Sequence, residues 1–308
     1  MLLIKNNVLI KEENGSALPL FTLFLVIIIG IAGLVIDGGI LYKTKSHLKK
    51  TVNAAVLSGA QELTNDSGSV NEVVLEILRA HNEENSLKEI VIETNNGYRL
   101  NVVLEKVVPL NFLKLFNIYS LPVKVSSTVQ LFPMSRGSGA VPLGIDKNIP
   151  LEYLKEYTLK VDSGDSEYGN FGILALSGPG AKLYEQDLRY GFEGELKVGD
   201  IIETQTGNIE GKTRDSINFR INSCNHAIND YSHRDCSRII LVLVYAPHKI
   251  QSNQLKEVKI TGFAYFYIKT PLDRHDSSIT GYFIKRAGSG FGDKNITDNG
   301  AYTIRLTE

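Results

Sequence analysis

The densest set of reactive side chains lies between Cys224 and Cys236, the only two cysteines of the chain, and it encloses His226 and His233. Two thiols and two imidazoles in so short a segment are the ligand types that hold zinc tetrahedrally, but the Cys224-Asn225-His226 spacing is poor for a zinc knuckle. A close cysteine pair forms a disulfide in an exported chain and stays reduced, or binds metal, in a reducing compartment. Disulfide, free thiols and metal are therefore all open at this point, with the disulfide the leading reading, and the compartment decides among them.

Other candidate motifs read as turns. Gly169-Asn170-Phe171-Gly172 and Ser177-Gly178-Pro179-Gly180 lack the Lys-Ser/Thr pair of a phosphate loop, and Ser177 is not in a Gly-x-Ser-x-Gly elbow. Asp162, Asp165 and Glu167 lack calcium-loop spacing and read as a solvated turn. Lys197-Val198-Gly199-Asp200-Ile201-Ile202-Glu203-Thr204, followed by Gly207-Asn208, resembles the way a strand begins in β-rich processing domains such as Hint and signal-peptidase-like folds. Those enzymes need a nucleophile, and none has a convincing place here; Gly and Asp suit a turn for geometric reasons alone. The expectation is therefore no catalytic residue, no cofactor and no metal. The competing reading is a membrane-tethered extracytoplasmic hydrolase or processing enzyme with its site within 160–240.

The element that must position everything else is at the N-terminus. Residues 17–36 are apolar without a single charge, and about twenty helical residues cover about 30 Å, the thickness of a bilayer core. Ala17, Pro19, Phe21, Phe24, Gly30, Gly33 and Ile36 mark this membrane anchor, and Asp37 ends it. A cleaved signal, with Lys5 and Lys11 in its basic region and Gly30-Ile31-Ala32 as its cut site, competes, but the run is long for one. Beyond Asp37, Leu41, Leu48, Val52, Val56, Gly59 and Leu63 recur on one helical face. One helix over about 17–63 is expected, apolar all round in its first half and core-facing in its second.

Lys43, Lys45, Lys49 and Lys50 follow the span, whereas Lys5 and Lys11 before it are offset by Glu12 and Glu13. Taken alone, the positive-inside rule places the large domain in the cytoplasm; long domains, however, translocate regardless of local charge.

Within 14–63 the chain reads Gly15-Ser16, the apolar span, Gly33-Leu34-Val35-Ile36-Asp37-Gly38-Gly39, Tyr42, the lysines, and Asn53-Ala54-Ala55 through Gly59-Ala60. As a combination this resembles the N-terminal module of the TadE/TadG-like proteins of the Tad (Flp pilus assembly) system. The resemblance implies a single-pass membrane protein that assembles or anchors pili, with a pilin-like helix and an extracytoplasmic C-terminal domain. It also implies, as partners, the lipid bilayer, other pilus-assembly or surface proteins, and a homo- or hetero-oligomer through the N-terminal helix. Prepilins cut after a Gly carry a Glu five residues on; after Gly15 that residue is Leu20. An uncut anchor is therefore expected rather than a pilus subunit.

The remainder reads as α+β. A short helix is expected over 70–82, a hairpin over 89–108 around Asn95-Asn96-Gly97, and a strand over 123–132. Ser135-Arg136-Gly137-Ser138-Gly139 reads as a linker. Beyond it, strands over 157–161, 195–204, 217–221, 239–245, 258–268 and 282–285, with one helix over 183–190, suggest a β-rich sandwich or barrel. The expected organisation is 1–16 cytoplasmic, 17–36 transmembrane, 37–134 a membrane-proximal helix with an α+β unit, and 140–308 β-rich and extracytoplasmic. Lysine plus arginine number 33 against 34 acidic residues, so no field attracts nucleic acid. A hydrophobic fraction of 43% suffices for a packed core.

Overall fold

The computed structural model describes residues 17–95, 97–162, 170–205, 209–251, 254–270 and 278–307. Helix α1 (Ala17–Gly59) runs unbroken into a 3-10 turn, Ala60–Glu62. Pro19 does not interrupt it, because in the first turn the missing N–H has no helical partner to lose. The stripe read from the sequence is the face that packs. Leu48, Val52, Val56 and Leu63 are buried, and Leu41 is half-buried against the same cluster.

Helix α2 (Ser67–Ala80) starts where the Asp66 carboxylate accepts the Ser69 backbone N–H at 3.0 Å. Its buried residues Val70, Val74 and Leu78 lie at i, i+4 and i+8 and join the α1 stripe. Three strands follow: β1 (Leu87–Glu93), β2 (Arg99–Pro109) and β3 (Ser120–Gly137). Gly97 at φ +102° takes the turn between β1 and β2; Asn96 lies outside the described residues. Leu100, Val102 and Leu104 point from β2 into the α1–α2 cluster at the strand period of two.

The next strands are β4 (Ala140–Asp146), β5 (Glu156–Asp162) and β6 (Asn170–Ile173), before helix α3 (Ala181–Tyr190). Two short strands, β7 (Leu196–Lys197) and β8 (Ile201–Glu203), precede helix α4 (Glu210–Asn222). The long strands β9 (Ile239–Gln251) and β10 (Gln254–Ile268) lead to β11 (Ser278–Ile284). Three final strands are β12 (Arg286–Gly288), β13 (Phe291–Gly292) and β14 (Ala301–Leu306).

Two sheets result. The first runs β1-β2-β3-β14-β12, with β7 and β13 paired to the far end of β3. In the second, β11-β5-β6-β4-β9-β10 closes on itself because β10 also pairs with β11, and β8 adds to β10. The barrel alternative is thus the one realised. Its strands are mixed in direction, with β5–β6 and β4–β9 parallel. Both faces of β9 are covered: Ile240, Val242 and Val244 belong to one cluster, Leu241, Leu243 and Tyr245 to another. Burial on both faces explains why this strand reads as a continuous apolar run rather than an alternation.

Three expectations are corrected. The segment 217–221, read as a strand, lies in α4, so 183–190 is not the only helix of this half. Its apolar–polar alternation fits a strand, but Ile209, Thr213, Ile217 and Ile221 form an i, i+4 ladder, all buried. The segment 195–204 is two strands, because Gly199 at φ +102° turns the chain between them. Residues 135–137, read as linker, end β3: Arg136 pairs with Lys197 on one side and Phe291 on the other.

Glu83 ties this frame together. Almost fully buried, it accepts from Lys106 of β2 at 2.6 Å and from the Ser86 hydroxyl, with His47 of α1 3.5 Å away. Burial raises its carboxyl, but the hydrogen bonds from Lys106 and Ser86 and the nearby charge of Lys106 and His47 outweigh burial and hold it below the usual value. Since the folded value lies below the unfolded one, this contribution is complete above the ordinary carboxylate range and is lost as pH falls through the folded value. Glu83→Gln is expected to cost about 1–2 kcal/mol at neutral pH and to flatten the acid limb of stability. Urea midpoints of the detergent-solubilised chain at a series of pH values check this; an unchanged acid limb contradicts it.

Candidate functional site

Ala17, Pro19, Phe21, Phe24, Gly30, Gly33, Ile36 and Asp37 all lie on α1. From Leu18 to Ile36 the large apolar side chains are exposed on every side of the helix. The helix is long and apolar enough to cross a membrane. Within this stretch and its end, Gly33 and Asp37 alone are buried. They stand one helical turn apart, on one face.

What buries them is the loop joining β2 to β3, residues 110–119. Its ends are tied by the Leu110 N–H to the Tyr119 carbonyl at 2.9 Å. A 3-10 turn, Leu113–Phe116, ends at Asn117, whose φ of +62° is a left-handed conformation that Asn tolerates. The backbone N–H groups of Asn111, Phe112 and Leu113 donate to the Asp37 carboxylate at 2.9, 2.9 and 2.8 Å. These are the donors that open the turn, so the carboxylate acts as a cap supplied by a distant helix. One turn earlier, a Cβ on Gly33 would stand 2.5 Å from the Phe112 ring. The glycine makes the groove for the ring, and the aspartate holds the backbone that carries it.

The second cluster is the 224–236 loop. Cys224 and Cys236 are disulfide-bonded, which removes both sulfurs from the metal ligand set. His226 and His233 stack with ring centroids 3.7 Å apart and an 8° interplanar angle. Each meets its own carboxylate, Asp235 at 2.9 Å and Asp230 at 3.1 Å. Ligand atoms of His226, His233 and Asp235 lie within 4.8 Å of one another, but parallel imidazoles aim their nitrogens side by side rather than at one point.

The disulfide loop also braces the two sheets. Arg234 donates to the Gln61 carbonyl at 2.8 Å, just beyond α1, and to the Ala287 carbonyl of β12 at 3.3 Å, while the Asn229 N–H donates to the Tyr267 hydroxyl at 3.0 Å. Reduction, or Cys224→Ser with Cys236→Ser, is expected to cost about 2–3 kcal/mol through the entropy of so short a loop. Denaturation with and without reductant measures it; equal midpoints would contradict the estimate.

Of the remaining candidates, Asn170, Phe171 and Gly172, read as part of a turn, lie in β6, and Asp162, read as part of a solvated turn, ends β5, because these residues pair with each other's strand. Ser177–Gly180 and Gly199 are turns. Gly178 and Gly180 adopt positive φ, and the Ser177 hydroxyl and N–H donate to the Asp187 carboxylate of α3. The Lys197 N–H donates to the Asp200 carboxylate at 2.9 Å across the Gly199 turn. Lys5, Lys11, Gly15-Ser16, Asp165, Glu167, Gly169 and Gly207-Asn208 lie outside the described residues.

Sequence reasoning found Gly33 and Asp37 but not the 110–119 loop they hold. Residues 15–62 match the Tad family, TadE/G-like Flp pilus assembly. The match spans α1 and includes both junction residues. No curated protein and no solved structure matches the chain.

Proposed function

We propose that this chain is a single-span, membrane-anchored, non-enzymatic component of a Tad/Flp-type pilus or cell-surface assembly system, working outside the cytoplasm through protein–protein contacts. The observation that carries this reading is the division of α1. Its first half is exposed and apolar on all sides, its second half is built into the core, and both belong to the family-matched segment. A helix of about 65 Å that is half anchor and half domain core couples a membrane position rigidly to the folded region. In this reading 17–36 crosses the bilayer uncut, 37–134 is membrane-proximal, and 140–308 faces partners. The Cys224–Cys236 bond supports an oxidising compartment. Lys49 donates to the Ser126 carbonyl at 2.6 Å, so one of the four lysines that favour the opposite orientation is engaged by the fold.

Impermeant reductant followed by an impermeant thiol reagent on intact cells, with mass spectrometry of the N-terminus, tests the reading. Labelling of Cys224 from outside, on a chain that retains its first residues, is expected. Labelling only after lysis would mean a cytoplasmic domain and would overturn the proposal.

A further inference from the structure

The loop that Asp37 and Gly33 capture carries an apolar surface of its own. Leu115, 80% exposed, is the most exposed large apolar side chain among the described residues. Phe116, Ile118 and Tyr119 beside it are also exposed, and so are Val107 and Leu121 on the adjoining ends of β2 and β3. Four of these lie within five residues at one hairpin tip, and Val107 and Leu121 flank it on opposite faces of the ribbon, so the tip is apolar on both sides, unlike single exposed residues scattered over a surface.

The position of this patch along α1 is fixed by contact. Phe112 packs at Gly33, one turn of about 5.4 Å to the span side of Asp37. The base of the loop is therefore level with the last turn of the apolar run and cannot stand clear of a membrane that the run crosses. The loop carries the kinds of side chain that suit this level. Leu115 and Phe116 are apolar, Tyr119 has an apolar ring with a polar end, and Lys114 in the same turn carries a charge. Above the loop, Tyr42, Lys43 and Lys45 are exposed on α1. Aromatic residues with a polar end and lysines are the groups that settle at the headgroup level.

We propose that the 107–121 hairpin tip is a second membrane contact, seated in the interfacial layer of the leaflet from which α1 emerges. Leu115 and Phe116 lie among the upper acyl chains, and Tyr119 and Lys114 lie at the headgroups. With α1, this makes two points of attachment joined by the Asp37 cap. A single helix leaves a domain free to tilt and spin; a helix plus a rigidly joined loop sets the face that the β-rich half turns to its partners. The inference rests on the anchor reading and adds to it.

The test uses the full chain in phosphatidylcholine/phosphatidylglycerol vesicles, labelled with an environment-sensitive fluorophore at Leu115→Cys. Ile27→Cys serves as the span control and Ile250→Cys, on the β9–β10 hairpin, as the control in the second sheet. Quenchers are aqueous iodide and lipids spin-labelled high or low on the acyl chain. Expected are a blue-shifted label at 115, at least twofold quenching by the shallow spin label and little by iodide, with deep-label quenching at 27. Iodide quenching at 115 as strong as at 250, while 27 remains lipid-quenched, would overturn the loop contact and leave the anchor standing. Protection at 115 from both iodide and lipid would identify a second copy of the chain as the occupant and overturn the lipid assignment. Loss of lipid quenching at 27 would overturn the anchor and the loop contact together.

Discussion

Asp37→Ala is expected to release the 110–119 loop from α1 while leaving both sheets folded. The carboxylate is fully buried and is the acceptor for three consecutive backbone N–H groups. Hydrogen bonds to a charged acceptor contribute about 1.5–3 kcal/mol each, and a donor left unpaired adds a desolvation cost. The loop is partly exposed, so water recovers some of that loss, and about 3–4 kcal/mol is the expected change at the junction. That corresponds to hydrogen exchange faster by a few hundredfold at residues 111–113 and to protease cutting within 114–119. Asp37→Asn keeps one acceptor oxygen and is expected to lose about half as much. Gly33→Val attacks the same contact sterically, because its Cβ meets the Phe112 ring at 2.5 Å. Unchanged protection at 111–113 in Asp37→Ala would show that ring packing alone holds the loop, and the aspartate would need another explanation.

The Gly33-to-Asp37 spacing also shows how far the sequence could be read. Both residues were visible as parts of a membrane-exit pattern, yet nothing local says what they hold. Their partners are 74 to 76 residues away for Asp37, and the loop's own sequence, Asn111-Phe112-Leu113-Lys114-Leu115-Phe116, reads as nothing more than a short apolar stretch. The packed half of α1 was legible because one helix face carries its pattern alone. The β1–β2 hairpin was legible because a turn and two alternations suffice. Segment 217–221 was not, since Ile217-Asn218-Phe219-Arg220-Ile221 satisfies a strand period as well as a helix period, and only the buried Ile209 and Thr213 upstream decide for α4. Closure of the barrel depends on a pairing of β10 with both β9 and β11, which no single strand announces.

The return of the chain to its beginning was equally hidden, and it leads to the second large effect. Strand β14 pairs antiparallel with β3 and parallel with β12, inside the sheet begun by β1 and β2. Tyr302 sends its ring into the α1–α2 cluster, where it meets Tyr98 edge-on at 5.3 Å, and its hydroxyl donates to Asp298 at 2.7 Å. Ala301, the residue before it, belongs to the cluster containing Leu241 and Phe263 of the second sheet. One short strand thus contributes neighbouring side chains to two cores. Tyr302→Ala is expected to cost about 3–5 kcal/mol, the range for removing a buried aromatic ring. Because the strand is shared, protection should fall by a similar factor in β2 and in β9, as measured by hydrogen exchange of the full chain in detergent. If β2 alone loses protection, the halves unfold separately and 134–140 behaves as a domain boundary. Equal loss in both would mean that the anchor-bearing half and the β-rich half form one cooperative body, so that an orientation imposed on α1 is transmitted through β14 to the β-rich half.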